Sequence, residues 1–334
     1  MNATTTRAAV LTGLGSTVPD QVVTNAMLAA RMDTSDQWIT SRTGIRERRV
    51  VEPGTATGDL ATEAGRRALK SAGVDAVDAL VLATTTPDHT CPATGPTVAD
   101  RLGLGTVPAY DVAAVCSGFL YALATAAGLI ALGTADRVLV IGAEAFTTII
   151  DPADRTTAPI FGDGAGAVVL EAGDEAQRGA LLGFDLGSDG ALADLIIVPA
   201  GGSRQRTAAD PADYFMKMQG RTVFTNAVLR MASSSRAALA RTGWKPGDVD
   251  RLIGHQANVR ILRAVAEELG LPVERAFVDV DKYGNTAAAS IPLALDDAAS
   301  SGLLTAGDRV LLTAFGGGAS WGAVTLEWPD LPRS

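Results

Sequence analysis

The sequence predicts an α/β chain built from two duplicated halves, residues 1–175 and 176–334. Three observations lead there. Short segments recur in the same order in both halves. Strand-like and helix-like patterns alternate inside each half, the mark of sheets covered by helices. A long uncharged run, Val112–Ala135, reads as a helix buried between layers.

The recurrence is specific. "FGDGAGAVVLE" at Phe161–Glu171 returns as "FGGGASWGAVTLE" at Phe315–Glu327. "DRVL" precedes each copy, at Asp136–Leu139 and Asp308–Leu311. Further back, "ALKSAG" and "VDALVLA" (Ala68–Ala83) answer "ALARTG" and "VDRLIGH" (Ala238–His255). "AYDVAAVCSGFLYAL" is loosely echoed by "AFVDVDKYGNTAAASIPLAL". The period is about 155–170 residues, far longer than a solenoid unit.

Each half then reads in the same order. A helix stops at a glycine, Gly73 or Gly243. A short apolar strand follows, then a second strand, a turn and an Ala-rich helix. "RVLVIGA" or "RVLLTAF" is the next strand, and a Gly-rich hairpin leads into "GAVVLE" or "GAVTLE". Alternation of this kind predicts a mostly parallel sheet in each half, the two packed as a pseudo-dimer. About Gly187–Asp213, rich in Gly, Pro, Arg and Asp, reads as an irregular connection before the helix "GRTVFTNAVLRMASSSRAALA".

Composition narrows the function. The chain has 334 residues, 47% hydrophobic and 5% aromatic, with a formal net charge of −9. That balance argues against nucleic acid as the main partner. Two cysteines make no disulfide scaffold at this length and fit a reducing, cytoplasmic setting. The N-terminal stretch lacks the pattern of a signal peptide. Val112–Ala135 is long enough to raise a membrane-span reading, but it carries Cys116, Ser117, Tyr121, two threonines and three glycines without flanking cations, so no membrane span is expected. With two Cys and two His, and no CxxC or HxxxH spacing, no metal site is expected. "FGDGAG" is no phosphate loop, because a strand follows it and no Lys-Ser/Thr does.

Three residues fall at carboxyl ends of strands, where open α/β sheets place ligands. Cys116 begins the uncharged helix, where a helix N-terminus favours thiolate and its own N–H is free for an oxyanion. His255 follows "DRLIG", and Asn285 lies near the place equivalent to Cys116 in the second half. Taken singly, each has a plain alternative: a buried small hydrophobe, a structural histidine, a turn asparagine. Gly316–Gly318 reads equally as a hairpin or as a backbone oxyanion donor.

Together "DVAAVCSGF", "GHQANVRI", "YGNTAAASIPLAL" and "FGGGASWG" resemble the β-ketoacyl-acyl carrier protein synthase III family of the thiolase-like superfamily. "SDQWITSRTGIRERR" and "DRTTAPIFGDGAGAVVL" fit it too, and the likeness runs nearly end to end. The resemblance implies a five-layered α-β-α-β-α fold and an acyltransferase that needs no cofactor. Cys116 would take an acyl group from acyl-CoA. His255 and Asn285 would stabilise the enolate formed when malonyl-acyl carrier protein loses CO2. The N–H groups of Cys116 and Gly318 would form the oxyanion hole. Trp38, Arg42, Arg155 and Phe224 would bind CoA, Cys91 and Phe161 would bound the acyl pocket, and Arg260 would dock the carrier protein. A homodimer is implied as well.

Two departures stand out. Gly254 occupies a position more often proline in the family. Cys91 falls where a large Phe from the partner subunit often caps the acyl pocket, so starters longer or more branched than acetyl are expected. Nothing after Cys116 is a cysteine, which disfavours a thiolase proper. A chalcone-type synthase suits the fold but not the motif context. A priming ketosynthase or acyltransferase of a polyketide or specialised pathway stays open. A non-catalytic carrier-protein-binding subunit is disfavoured by the presence of all three site residues. A cysteine hydrolase is disfavoured by the Ala-rich setting.

Overall fold

The computed structural model describes residues 7–331. Met1–Thr6, part of the stretch read for a leader, and Pro332–Ser334 lie outside the described residues. The first half opens with β1 (Ala8–Thr17). A small flap follows: β2 (Val22–Thr24), α1 (Asn25–Ala29), α2 (Asp36–Thr43) and β3 (Glu47–Arg49), with β2 and β3 antiparallel. Then come α3 (Thr57–Ala72), β4 (Ala79–Ala83), α4 (Gly95–Arg101), β5 (Ala109–Val112), α5 (Gly118–Ala131), β6 (Arg137–Glu144) and β7 (Gly164–Gly173). The second half runs β8 (Leu181–Ser188), a short ribbon of β9 (Ile196–Ile197) and β10 (Lys217–Met218), then α6 (Gly220–Thr242) and β11 (Arg251–Gly254). It closes with α7 (Val259–Leu269), α8 (Val280–Tyr283), α9 (Ser290–Ser300), β12 (Arg309–Gly316) and β13 (Ser320–Glu327).

The repeated segments occupy matching places. The sheets run β1-β7-β6-β4-β5 and β8-β13-β12-β11. Arg137 pairs with Glu171 across β6 and β7, and Arg309 pairs with Glu327 across β12 and β13. These are the R of "DRVL" and the final E of each repeat. α3 and α6 end at Gly73 and Gly243 with φ of 68° and 77°, the left-handed stop that glycine allows.

Layering follows from strand alternation. Val138 and Val140 of β6 face inward with Phe119 and Leu123 of α5, Ile291 and Leu295 of α9, and Val310 and Leu312 of β12. Leu139 and Ile141 face outward onto α3 and α4. On the far side α6 and α7 cover the second sheet. The order is helix, sheet, helix, sheet, helix. α5 sits in the middle layer, between apolar surfaces, which is why it carries no charge. Among the described residues no helix is long and apolar enough to cross a membrane.

Four expectations change. The sheets are mixed, not mostly parallel: β5, β4 and β6 run parallel, but β7 and then β1 add antiparallel, and β12, β13 and β8 repeat this. The first Gly-rich segment is not a hairpin, because residues 145–163 separate β6 from β7. The expected strand "AFVDV" shrinks to one parallel bridge, Leu252 to Ala276. Finally, the backbone twin of Cys116 is Ala288, not Asn285. Val115 and Ala287 both sit at positive φ, 46° and 45°, a rare setting for residues with a Cβ. Each starts a 3-10 turn, Val115–Ser117 or Ala287–Ala289, that leads into a central helix.

Candidate active site

The two halves meet at their strand ends. Cys116, His255 and Asn285 line one pocket of about 460 Å³, with Phe146, Phe161, Ile196, Met218, Met231 and Phe315 among its walls. Each polar residue is almost fully buried. Phe146 and Phe161 stack with centroids 4.7 Å apart.

Cys116 is held in the turn before α5, among Phe146, Ile150, Phe161 and Met216. Burial pushes its thiol well up, and the charge of Glu144 adds to this; the backbone N–H of Cys116 opposes both. Helix position alone leads to a thiolate expectation, but burial outweighs it and the resting group is the thiol.

His255 leaves β11 with its backbone N–H on Thr313 O at 2.8 Å. Burial lowers its imidazole to about 3, so it is neutral at physiological pH. Its Nδ1 has no partner among the described residues. Asn285 is fixed from three sides. Its N–H donates to Ile160 O at 2.9 Å, its carbonyl accepts from Gly162 N–H at 3.0 Å, and its Oδ1 accepts from Ala287 N–H at 2.9 Å. With Oδ1 engaged, Nδ2 is the group left to donate. Gln256 ties these segments together: its side chain donates to Gly254 O and Phe277 O and accepts from Asp279 N–H.

A second, wider cavity of about 1290 Å³ runs from this pocket outward. It shares Met218, Val223, Ala257, Ile261 and Asn285 with the inner pocket, so the two form one tunnel. Trp38, Arg42, Phe224 and Arg260 line the outer part, as does Arg221, which the sequence reading missed. The Arg42 guanidinium lies 4.5 Å from the Trp38 ring centre, and that of Arg155 5.5 Å. Arg155 flanks Trp38 without lining the tunnel and pairs with Asp33 at 2.7 Å. Arg260 sits over Phe224 at 5.6 Å. Buried Arg48 steadies this wall, donating to Val23 O, Asn25 Oδ1 and Pro159 O.

Two residues fall elsewhere. Cys91 is exposed and does not line the pocket of its own chain. Gly318 stands exposed at the tip of the β12–β13 turn. The glycines packed against the Cys116 turn are the buried Gly316 and Gly317: a Cβ on Gly316 would sit 2.8 Å from Cys116 N, and one on Gly317 3.3 Å from Val115 Cγ2. Ser320 anchors this turn, with Oγ 2.8 Å from Ser117 Oγ and 3.0 Å from Gly317 O. Glu144 was also missed; it is a lone carboxylate closing an apolar strand. Among the described residues no cluster of three or more His, Cys, Asp or Glu is placed to hold a metal.

Comparisons with known proteins agree with this geometry. Residues 110–190 match the family described as 3-oxoacyl-[acyl-carrier-protein] synthase III, and residues 239–328 match its C-terminal family. The chain is 61% identical to beta-ketoacyl-[acyl-carrier-protein] synthase III 5 of Streptomyces coelicolor, over 97% of this chain and 98% of that one. The crystal structure of 3-oxoacyl-(acyl carrier protein) synthase III from Pseudomonas aeruginosa superposes with a TM-score of 0.93 at 50% identity, over 98% of this chain and 100% of that one. The priming β-ketosynthase of the R1128 polyketide pathway superposes with a TM-score of 0.92 at 34% identity, over 99% of each chain. With its duplicated thiolase-like fold and near full-length matches, the chain belongs to the 3-oxoacyl-[acyl-carrier-protein] synthase III family.

Proposed function

We propose that this chain starts acyl-chain synthesis: it takes an acyl group from acyl-CoA onto Cys116 and condenses it with malonyl-acyl carrier protein. The single observation that carries this is one buried pocket joining Cys116, His255 and Asn285 to a tunnel whose mouth carries Trp38, Arg42, Arg221 and Arg260.

In the first step the Cys116 sulfur attacks the thioester carbonyl. A C–S bond forms, the bond to CoA breaks, and the thiol proton ends on the CoA sulfur. The tetrahedral oxyanion forms where the Cys116 N–H points, at the start of α5. Gly317 replaces Gly318 as the second backbone donor, because Gly317 is buried against Val115 and Gly318 is exposed. The buried pocket keeps water from the acyl-Cys116 thioester.

In the second step malonyl-acyl carrier protein loses CO2, and its thioester carbonyl becomes an enolate oxygen. Neutral His255 and the Asn285 Nδ2 donate to that oxygen. Neutral donors gain strength as charge develops and do not favour the starting carboxylate, so their effect falls on the transition state. The carbanion attacks the acyl-Cys116 carbonyl. Cys116 thiolate leaves and takes up a proton, and 3-oxoacyl-acyl carrier protein is released.

At the mouth, the Trp38 indole offers a stacking face for the nucleotide of CoA, with the guanidiniums of Arg42 and Arg155 beside it. Arg260 and Arg221 offer cations to an acidic carrier protein, which suits a local basic rim on a net acidic chain. The same chemistry serves a polyketide starter unit, the role named for the R1128 relative.

The test is intact mass after incubation with a panel of short acyl-CoAs, with Cys116→Ser alongside. Acyl adducts on the wild type alone support the reading, and malonyl-acyl carrier protein should then discharge them as 3-oxoacyl product. Absence of any adduct, or discharge without a new C–C bond, counts against it.

A further inference from the structure

Glu144 ends β6 fully buried, and among the described residues no cation is paired with it. Donors surround it instead. Thr85 N–H reaches both oxygens at 3.0 and 3.1 Å. Thr86 N–H at 3.1 Å and Thr86 Oγ1 at 2.7 Å reach Oε2. The backbone N–H of Ala288 adds to the hold on its charge. Burial still pushes the carboxyl up to about 7. A carboxylate kept in such a place opposes folding, and an apolar side chain would fill a strand end without that penalty.

The duplication gives this residue a meaning. Ala288 is the twin of Cys116, with the same positive-φ residue before it and the same central helix after it. Gly316 of β12, where an added Cβ would fall 2.8 Å from Cys116 N, corresponds in the repeat to Glu144 of β6, by the register that matches Arg309 with Arg137. Glu144 therefore sets an anion toward the amide that corresponds to the proposed oxyanion donor of the first half. That amide adjoins Ala287, whose N–H holds Asn285 Oδ1 at 2.9 Å.

We propose that Glu144 is a positioning residue for condensation: its carboxylate occupies the second half's copy of the oxyanion site, fixes the Ala287–Ala288 turn, and keeps the Asn285 amide nitrogen on the pocket. This rests on the function proposed above, in which Asn285 serves condensation and acyl transfer to Cys116 does not need it.

The experiment measures the two steps separately in Glu144→Gln, which keeps the shape but turns an NH2 group against the donors of Thr85, Thr86 and Ala288. Acylation of Cys116 should stay within about twofold of wild type, while kcat for condensation falls about 10- to 100-fold at unchanged KM for malonyl-acyl carrier protein. Thr86→Val removes one donor and leaves the charge; it should show a smaller loss in the same step only. Condensation at the wild-type rate in Glu144→Gln overturns the proposal. A parallel fall of both steps also overturns it, since that marks a general packing role. If Glu144→Gln does not fold, Thr86→Val decides by the same criterion. A wild-type protein that takes no acyl group sinks the functional reading itself, and is seen before any variant is compared.

Discussion

Ser117 Oγ and Ser320 Oγ lie 2.8 Å apart, joining the turn that carries Cys116 in one half to the β12–β13 turn of the other. Ser320 Oγ also reaches Ala114 O at 3.2 Å and Gly317 O at 3.0 Å. The pair thus sets the spacing between the two proposed oxyanion donors. Ser320→Ala should lower kcat for acyl transfer about tenfold without raising KM, since a displaced donor costs less than a deleted one. Its stability cost should be about 1 kcal/mol, the worth of one buried hydrogen bond. Steady-state kinetics and urea unfolding on the same preparation check both, and a KM effect alone would reject the assignment.

His255 and Asn285 are proposed to act only after the acyl group is on Cys116. His255→Ala and Asn285→Ala should therefore still form the acyl adduct. Condensation should fall about 10²- to 10³-fold, the usual loss when one preorganised donor is removed. Single-turnover assays started from preformed acyl-enzyme isolate that step. Loss of the adduct in either variant would move that residue into acyl transfer.

The buried imidazole also predicts how stability depends on pH. Burial holds folded His255 to about 3, against an ordinary 6.5. Between these values the unfolded chain carries a proton that the folded chain refuses. Stability from this group is thus present above 6.5 and is lost as pH falls toward 3, at about 1.4 kcal/mol per pH unit. Glu144 works in the opposite sense. It is raised from 4.5 to about 7, so its contribution is full below 4.5 and lost as pH rises through 7. Urea unfolding of wild type and His255→Ala from pH 7 to pH 4 should show the steeper acid loss in the wild type. Parallel curves would mean that the imidazole is not held neutral.

Glycine marks where the halves interlock. A Cβ on Gly316 would meet Cys116 N at 2.8 Å, Ser117 N at 2.9 Å and Ala114 O at 3.1 Å, all backbone atoms that cannot swing aside. Gly316→Ala should destabilise the fold by about 1–3 kcal/mol, as overpacking does, and should slow acyl transfer by moving the Cys116 turn. Gly142→Ala, on the other sheet, should cost similar stability and act on condensation instead, because its Cβ would fall 2.3 Å from Ala288 O. Melting temperatures with step-resolved kinetics separate the two.

These contrasts show what the sequence made legible. The duplication was readable because Arg137–Glu171 and Arg309–Glu327 repeat a register that each half needs for its own sheet. Cys116 and His255 stood out as rare residue types at strand ends. Strand direction was not readable, since β7 lies antiparallel between β1 and β6 by tertiary pairing and not by any period in its residues. The Ser117–Ser320 contact spans 203 positions, and no local pattern announces it. Gly317 and Gly318 are alike in the sequence, and only the folded turn buries the first and exposes the second. Glu144 showed one signal, a carboxylate closing a strand that is apolar after Arg137, but its partners come from two other segments, the Thr85–Thr86 turn and Ala288.

Cys91 yields the last prediction. It is exposed, yet its loop is pinned: Asp88 N–H donates to Thr94 Oγ1 at 2.9 Å, Gly58 N–H to Asp88 Oδ1 at 2.7 Å, and Thr94 N–H to Asp111 Oδ2 at 2.8 Å. A rigid, solvent-facing loop suits presentation to a second copy of the chain, where Cys91 would face the partner's acyl pocket. A small side chain there leaves the pocket long. Cys91→Phe should then shift preference toward acetyl-CoA over a starter one or two carbons longer by about tenfold, the scale on which one methylene is discriminated. Intact-mass competition between acetyl-CoA and longer or branched acyl-CoAs measures that ratio. Sedimentation of both proteins should show the same dimer. An unchanged acyl ranking in a dimeric variant would take Cys91 out of the pocket, and a monomeric wild type would remove the route by which it could enter.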